Sequence, residues 1–360
     1  LQVMGNQRPA ILNARRMLAT LASISVLAVL VVPHSAAAEE PYATVTVHRD
    51  SYLWTADYEF HRQAATWVFA DSILPRASDT SFRESSWHVV TPGVRLERHG
   101  WYDALVSDEG TVPAQVSITF TPFTRDIEAS YDAALAFSDG PVALYDQKFK
   151  VFPASSLLAV AQLPVDASEI PAVEIPTCVR MRDTSGPVLL VTERLEEAVL
   201  CDIGTYVLFG AAEPVQNEAM ATVLDPNLPS WLADHIADTI PQLLDYYAVR
   251  MGRPPGGTPL LLATWAGPTP GLMSMGGSVL DSMLVMTFEG EGLTTQQPDV
   301  LTGSLWFAAH EGAHFWLGQA VSYERQQESW ITEGGADLLA YRAIEAIDPE
   351  YDPLPALQAS

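Results

Sequence analysis

Apolar residues recur along this chain with two different periods. From Pro41 to about Phe209 the period is two: Ala43-Thr44-Val45-Thr46-Val47 alternates, as does Gln115-Val116-Ser117-Ile118-Thr119-Phe120, with Pro and Gly between such runs. No long segment there keeps the 3.6-residue period of a helix, so the pattern predicts an antiparallel β-sandwich or one large curved sheet. After about Glu213 the period changes. Trp231, Leu232, Ile236, Ile240, Leu243, Leu244 and Tyr247 share one helical face, with Ser230 as N-cap and Gly252 as stop. Pro241 is expected to kink that helix, since it lacks an amide hydrogen and crowds the preceding turn. A strand over 259–263, a Gly-rich stretch over 267–277, a strand over 278–288 and helices over 299–314 and 332–347 complete the reading. The fold class is therefore α+β, a β-rich, sandwich-like domain over 39–215 followed by a second domain over 216–360.

The first residues follow another logic. Arg8, Arg15 and Arg16 precede the mostly apolar run 17–32; Pro33 breaks it, and Ala36-Ala37-Ala38 offers small residues before Glu39. Basic, apolar and small segments in that order predict a signal peptide over 1–38. The run is shorter than the ~20 residues a spanning helix needs, so removal is favoured over anchoring. The mature chain is expected outside the cytoplasm, secreted or periplasmic, with no stable membrane span. Its two cysteines, Cys178 and Cys201, flank the β-like run 188–191. A disulfide suits an exported chain, and two buried thiols are the alternative.

Composition narrows the partners. With 48% hydrophobic residues among 360, the chain can bury one large core or two ordinary ones. A formal net charge of −25 with only 19 Lys plus Arg excludes the clustered cations that nucleic-acid binding requires. The pattern carries no signal for an oligomeric state. His48, His61, His88, His99 and His235 lack metal-ligand spacing and are read as structural or surface histidines.

The sharpest chemical signal is His310-Glu311-Gly312-Ala313-His314. On a helix, residues four apart stack on one face, so two imidazoles can grip one ion while Glu311, about 100° round, reaches a water beside it. The bland alternative is a helix with two hydrogen-bonded histidines. Downstream, Glu333 follows His314 after the eighteen residues 315–332 and supplies a third ligand; three protein ligands are what a catalytic zinc site carries. Asp337 shares the helical face of Glu333, where a carboxylate can take the second ring N–H of a zinc histidine; a plain solvated charge is the alternative.

His310 to Gly318 together with Trp330-Ile331-Thr332-Glu333-Gly334 resembles the signature of the membrane alanyl aminopeptidase family of gluzincins, and Glu333 with Asp337 is similar to thermolysin. The strong match runs from about Leu305 to Tyr341. The resemblance implies a thermolysin-like peptidase domain, one zinc ion held by His310, His314 and Glu333, base catalysis by Glu311, and a peptide or protein substrate. The sequence departs from the family at two points. The family holds a substrate's free amine with the Glu of a G-x-M-E-N motif; the corresponding stretch, 271–277, contains no acid, and Gly276 and Gly277 are expected to offer backbone to substrate instead. The family's transition-state Tyr lies several dozen residues beyond the third ligand, whereas this sequence stops at Ser360, so the expectation is an incomplete peptidase domain, a donor supplied otherwise, or a weak or inactive relative. The alternative reading is a secreted zinc-binding relative that has lost catalysis and serves as a binding module. A zinc hydrolase acting on a non-peptide bond is a third.

Overall fold

The computed structural model describes residues 40–351 apart from 77, 126, 128–130, 174–176, 202–203, 255 and 322–328. The predicted signal peptide lies outside the described residues. Among those described, the strands form four sheets. The first has six strands in the order Ala198–Leu200, Thr177–Asp183, Ala43–Asp50, Leu53–Phe60, Gln115–Phe120 and Trp87–Val89. The second has four: Val151–Ala154, Thr66–Phe69, Tyr102–Ser107 and Val94–His99. Val45, Val47, Ala56 and Tyr58 of the first share one core with Trp67, Phe69 and Leu105 of the second. The alternation in the sequence does this, because successive side chains leave a strand on opposite faces and Thr44 and Thr46 turn outward.

One prediction needs correcting here. Ala43–Asp50 pairs in parallel with Thr177–Asp183, so the sheets are not purely antiparallel. The later strand returns only after the four-stranded sheet is built, and a long connection, unlike a hairpin, permits a parallel pair. Val179 faces Leu200 in the neighbouring antiparallel pair, which brings the adjoining Cys178 and Cys201 together, and they are disulfide-bonded.

The third sheet, in the order Glu193–Leu195, Val188–Leu190, Tyr206–Phe209, Val142–Tyr145 and Ala134–Ala136, backs onto the fourth. That fourth sheet runs Val215–Gln216, Ala221–Leu224, Leu260–Trp265, Met283–Glu289 and, at its edge, Ser274–Leu280. Its central strands are parallel and its edge strand is antiparallel. Leu260, Leu262, Met283 and Val285 pack toward the third sheet, while Leu261, Ala263, Leu284 and Met286 pack toward three helices. Burial on both faces explains the unbroken apolar run 260–263.

The helices are Ser230–Met251, Pro298–Ala313 and Trp330–Ile347. The long one begins with Pro229 in the N-cap position rather than Ser230, is helical through Pro241, and stops at Gly252, whose φ of 86° favours glycine. The expected single strand 278–288 is instead a hairpin. Asp281-Ser282 makes the turn, with Ser282 at φ 59°, and the strand before it takes in Gly276 and Gly277. Among the described residues no helix is long and apolar enough to cross a membrane.

Candidate metal centre

The helix Pro298–Ala313 buries Ala308, Ala309, Gly312 and Ala313. Such small residues let the long helix approach closely: a Cβ on Gly312 would lie only 3.7 Å from the Tyr247 ring. The Tyr247 hydroxyl donates to the Ala309 carbonyl at 2.8 Å, which fixes the last turn of the helix. His310 and His314 emerge from the opposite side, half-buried. His314 forms the C-cap rather than an interior position, yet keeps helical φ and ψ, so the four-residue spacing still stacks the two rings. The helix Trp330–Ile347 docks alongside through the fully buried Ala336 and Ala340, and this aims Glu333 and Asp337 at the histidines.

The two Nε2 atoms stand 3.1 Å apart. A carboxylate oxygen of Glu333 lies 3.5 Å from that of His310 and 3.7 Å from that of His314. On the far side of each ring, Nδ1 of His310 meets Asp337 Oδ1 at 2.8 Å and Nδ1 of His314 meets the Leu317 carbonyl at 2.9 Å. Both partners are acceptors, so each Nδ1 donates its proton and Nε2 is the ring atom turned toward the cluster. Two ring nitrogens and a carboxylate oxygen converging in this way are a donor set that a divalent cation could take as ligands. Tetrahedral zinc, at ~2.0–2.1 Å from each nitrogen, would space them by about 3.3 Å. The donor set fits. Among the described residues, this is the group of three His, Cys, Asp or Glu side chains whose ligand atoms converge within 4.8 Å.

Glu311 projects to the side of this cluster, and burial pushes its carboxyl up to about 7, against the lowering effect of His314 and with a smaller push from Glu333. It rests against the edge strand Ser274–Leu280, and a Cβ on Gly277 would lie 2.6 Å from its Cγ and Cδ and 2.8 Å from Phe307. Only glycine admits that approach. Gly276 faces the other way, where a Cβ would lie 2.6 Å from the Thr287 hydroxyl. A cleft of about 500 Å³ opens here, lined by Tyr131, Gly277, Val279, the two histidines and Glu311 among others. The sequence reading thus named Gly277, which borders the cleft, and Gly276, which is not in its lining. It missed Tyr131 and Gln319. Tyr131 comes from the β-rich half, and its hydroxyl donates to the Val279 carbonyl at 3.0 Å. Burial, and secondarily the charge of Glu311, raises its pKa above the ordinary tyrosine range. No spacing signal links it to residues so far along the chain.

Among the described residues, other histidines lie apart from the cluster: His61 meets Thr44 at 3.0 Å, His99 meets Glu97 at 3.0 Å, and His235 meets Thr239 at 3.2 Å.

No protein-family model and no curated protein sequence matches the chain. Solved structures do. An aminopeptidase N family protein from Idiomarina loihiensis superposes with a TM-score of 0.50 at 10% identity, over 84% of this chain and 54% of that one. Leukotriene A4 hydrolase from Saccharomyces cerevisiae covers 85% of this chain and 48% of its own length, with a TM-score of 0.41 at 12% identity. The chain thus spans about half the length of these two structures. At 10% identity the first likeness is one of fold: a mixed α+β architecture with a sheet-rich N-terminal region, shared with an aminopeptidase N family protein.

Proposed function

We propose that this chain is a zinc-dependent peptidase of the gluzincin type that acts outside the cytoplasm on a peptide or protein substrate. The observation that carries the reading is the convergence of His310, His314 and Glu333 with Glu311 beside them in an open cleft. The fold shared with an aminopeptidase N family protein supports it. His310, His314 and Glu333 would hold one zinc ion, which when bound polarises the scissile carbonyl and lowers the pKa of water toward ~7. Asp337 and the Leu317 carbonyl keep the two imidazoles in the tautomer that leaves Nε2 free. Glu311 takes the proton of the attacking water and delivers it to the leaving amine, and contact with Gly277 holds its carboxylate at the height of the edge strand. The outer backbone of that strand offers an amide and a carbonyl with which an extended peptide can pair.

The test is cleavage of a peptide library by purified protein, with metal content measured on the same sample. The expected outcome is about one zinc per chain and cleavage that stops on chelation and returns on adding zinc. Bound zinc without cleavage would favour the binding-module alternative. No bound metal would refute both.

A further inference from the structure

Beyond the metal cluster, the cleft has a built end. The Val279 carbonyl accepts two hydrogen bonds from opposite parts of the molecule, one from the Tyr131 hydroxyl at 3.0 Å and one from the Gln319 side-chain amide at 3.3 Å. Tyr131 belongs to the β-rich half, and its ring stands 4.9 Å from that of Tyr145, which in turn lies 5.1 Å from Tyr206, so an aromatic row backs the hydroxyl. Gln319 belongs to the loop after His314, where Gly318 N–H donates to the Val321 carbonyl at 2.7 Å. Both contacts fall on the outer edge of Ser274–Leu280, since the inner edge is taken up by Met283–Glu289.

Backbone direction repeats every second residue along a strand. With the Val279 carbonyl on the outer edge, Gly277, two residues away, presents its amide and carbonyl there too, level with Glu311. Gly277 accepts the Ser278 hydroxyl at 2.7 Å and retains a second lone pair. The next outward position, Val279, lies about 7 Å along the strand and is closed.

We infer that Tyr131 and Gln319 form a stop on the substrate-binding edge: a peptide residue pairs with Gly277, and the chain cannot continue as a paired strand past Val279. This rests on the peptidase reading. It makes Tyr131 and Gln319 specificity-determining residues, and it predicts that substrate is accepted with only a residue or two on the Val279 side of Gly277 but with an extended chain on the other. The wall is a phenol and an amide, so the stop acts by occupying the backbone edge and requires no charge on the substrate terminus.

Binding tests this without relying on turnover. The zinc-loaded full chain carrying Glu311→Gln would be titrated calorimetrically with nested peptides, lengthened one residue at a time from each end. The expected result is an affinity at least tenfold weaker once one end passes the stop, with no such loss on extending the other end. In the same background Gln319→Ala, at an exposed loop position, and Tyr131→Phe with Gln319→Ala should recover most of the lost affinity for the long peptides and leave the short ones within threefold. Affinity indifferent to length at both ends, a penalty unchanged by Gln319→Ala and by the double substitution, or no peptide binding at all would overturn the stop. Parallel assays of the unsubstituted chain separate the two claims. Length-limited binding without any cleavage would sink the peptidase reading and leave the stop standing, whereas cleavage indifferent to length would do the reverse.

Discussion

Two polar clusters in this molecule are built from similar side chains toward opposite ends. In the β-rich half, Arg83 and Asp103 are fully buried. The guanidinium donates to Asp103 at 2.9 Å and to the Lys148 carbonyl at 2.5 Å, and it lies over the rings of Phe69 and Phe82 at 4.2 and 4.5 Å. Asp103 also accepts from Arg98 at 2.9 Å and from Ser81 at 2.6 Å. Each charge meets its opposite within the chain, with Arg83 Nε alone left over among the described atoms of that group. In the second cluster, Glu311, Glu333, His310 and His314 meet with no Lys or Arg among the described residues lining the cleft. A cluster whose charges are paired within the chain is structural. One rich in acceptors and short of cations is arranged for a guest.

The largest effect should come from the site. Glu311→Gln keeps the volume and removes the base, so cleavage should fall by about 10²–10⁴-fold. Zinc content by elemental analysis should not change. Full activity in this variant would mean that the carboxylate beside the cluster has no part in the chemistry. In the β-rich half the corresponding change is Arg83→Ala, which takes one of its two arginines from the buried Asp103. Because Asp103 keeps Arg98 and Ser81, the loss should be that of charged hydrogen bonds, roughly 1.5–3 kcal/mol each. Urea unfolding should reveal the loss, while zinc affinity of the folded protein stays the same. If Arg83→Ala instead weakened zinc binding without loss of stability, the contrast between the clusters would be mistaken.

An intermediate effect tests how tightly the site is framed. Gly277→Ala places a methyl group 2.6 Å from Glu311. The carboxylate must move, and displacement of a catalytic group by about an ångström can cost ~10²-fold in rate. Loss of turnover at unchanged zinc content is the expected pattern. Equal activity would show that the edge strand yields more easily than the helix.

How much of this the sequence revealed depends on distance along the chain. The four-residue spacing of His310 and His314 carries its own geometry once a helix is assumed, so the ring stacking was legible. Glu333 and Asp337 were found because a second helix must pack on the first and both project from one face. The alternation of Val45 and Val47 with Thr44 and Thr46 gave the inner face of the first sheet in the same way. Long-range pairing was not legible. Nothing local states that Thr177–Asp183 returns parallel to Ala43–Asp50. The hairpin at Asp281-Ser282 was hidden because the buried Val279 and Leu280 before it and Met283 to Met286 after it read as one apolar run; the Asp-Ser pair itself was the signal that could have divided it. Tyr131 escaped for the same reason as the parallel pair, since only tertiary packing brings it to Val279.

The smallest effect divides two contributions that Asp337 makes to His310. Its carboxylate receives the Nδ1 proton at 2.8 Å, which fixes the tautomer, and its charge makes the ring a better donor through Nε2. Asp337→Asn retains an oxygen that can accept the same proton and removes the charge; Asp337→Ala removes both. Loss of such a partner costs 10–100-fold in metal affinity, so the asparagine variant should fall near tenfold and the alanine variant nearer a hundredfold, about 1.4 and 2.7 kcal/mol. Competition with a chromophoric chelator measures both. Equal losses would assign the whole effect to charge, and an unchanged asparagine variant would assign it to the tautomer. Unchanged affinity in both would place Asp337 with the solvated surface charges, and the acceptor-rich cluster would then consist of Glu311, Glu333 and two imidazoles, with no Lys or Arg among the described residues that line the cleft.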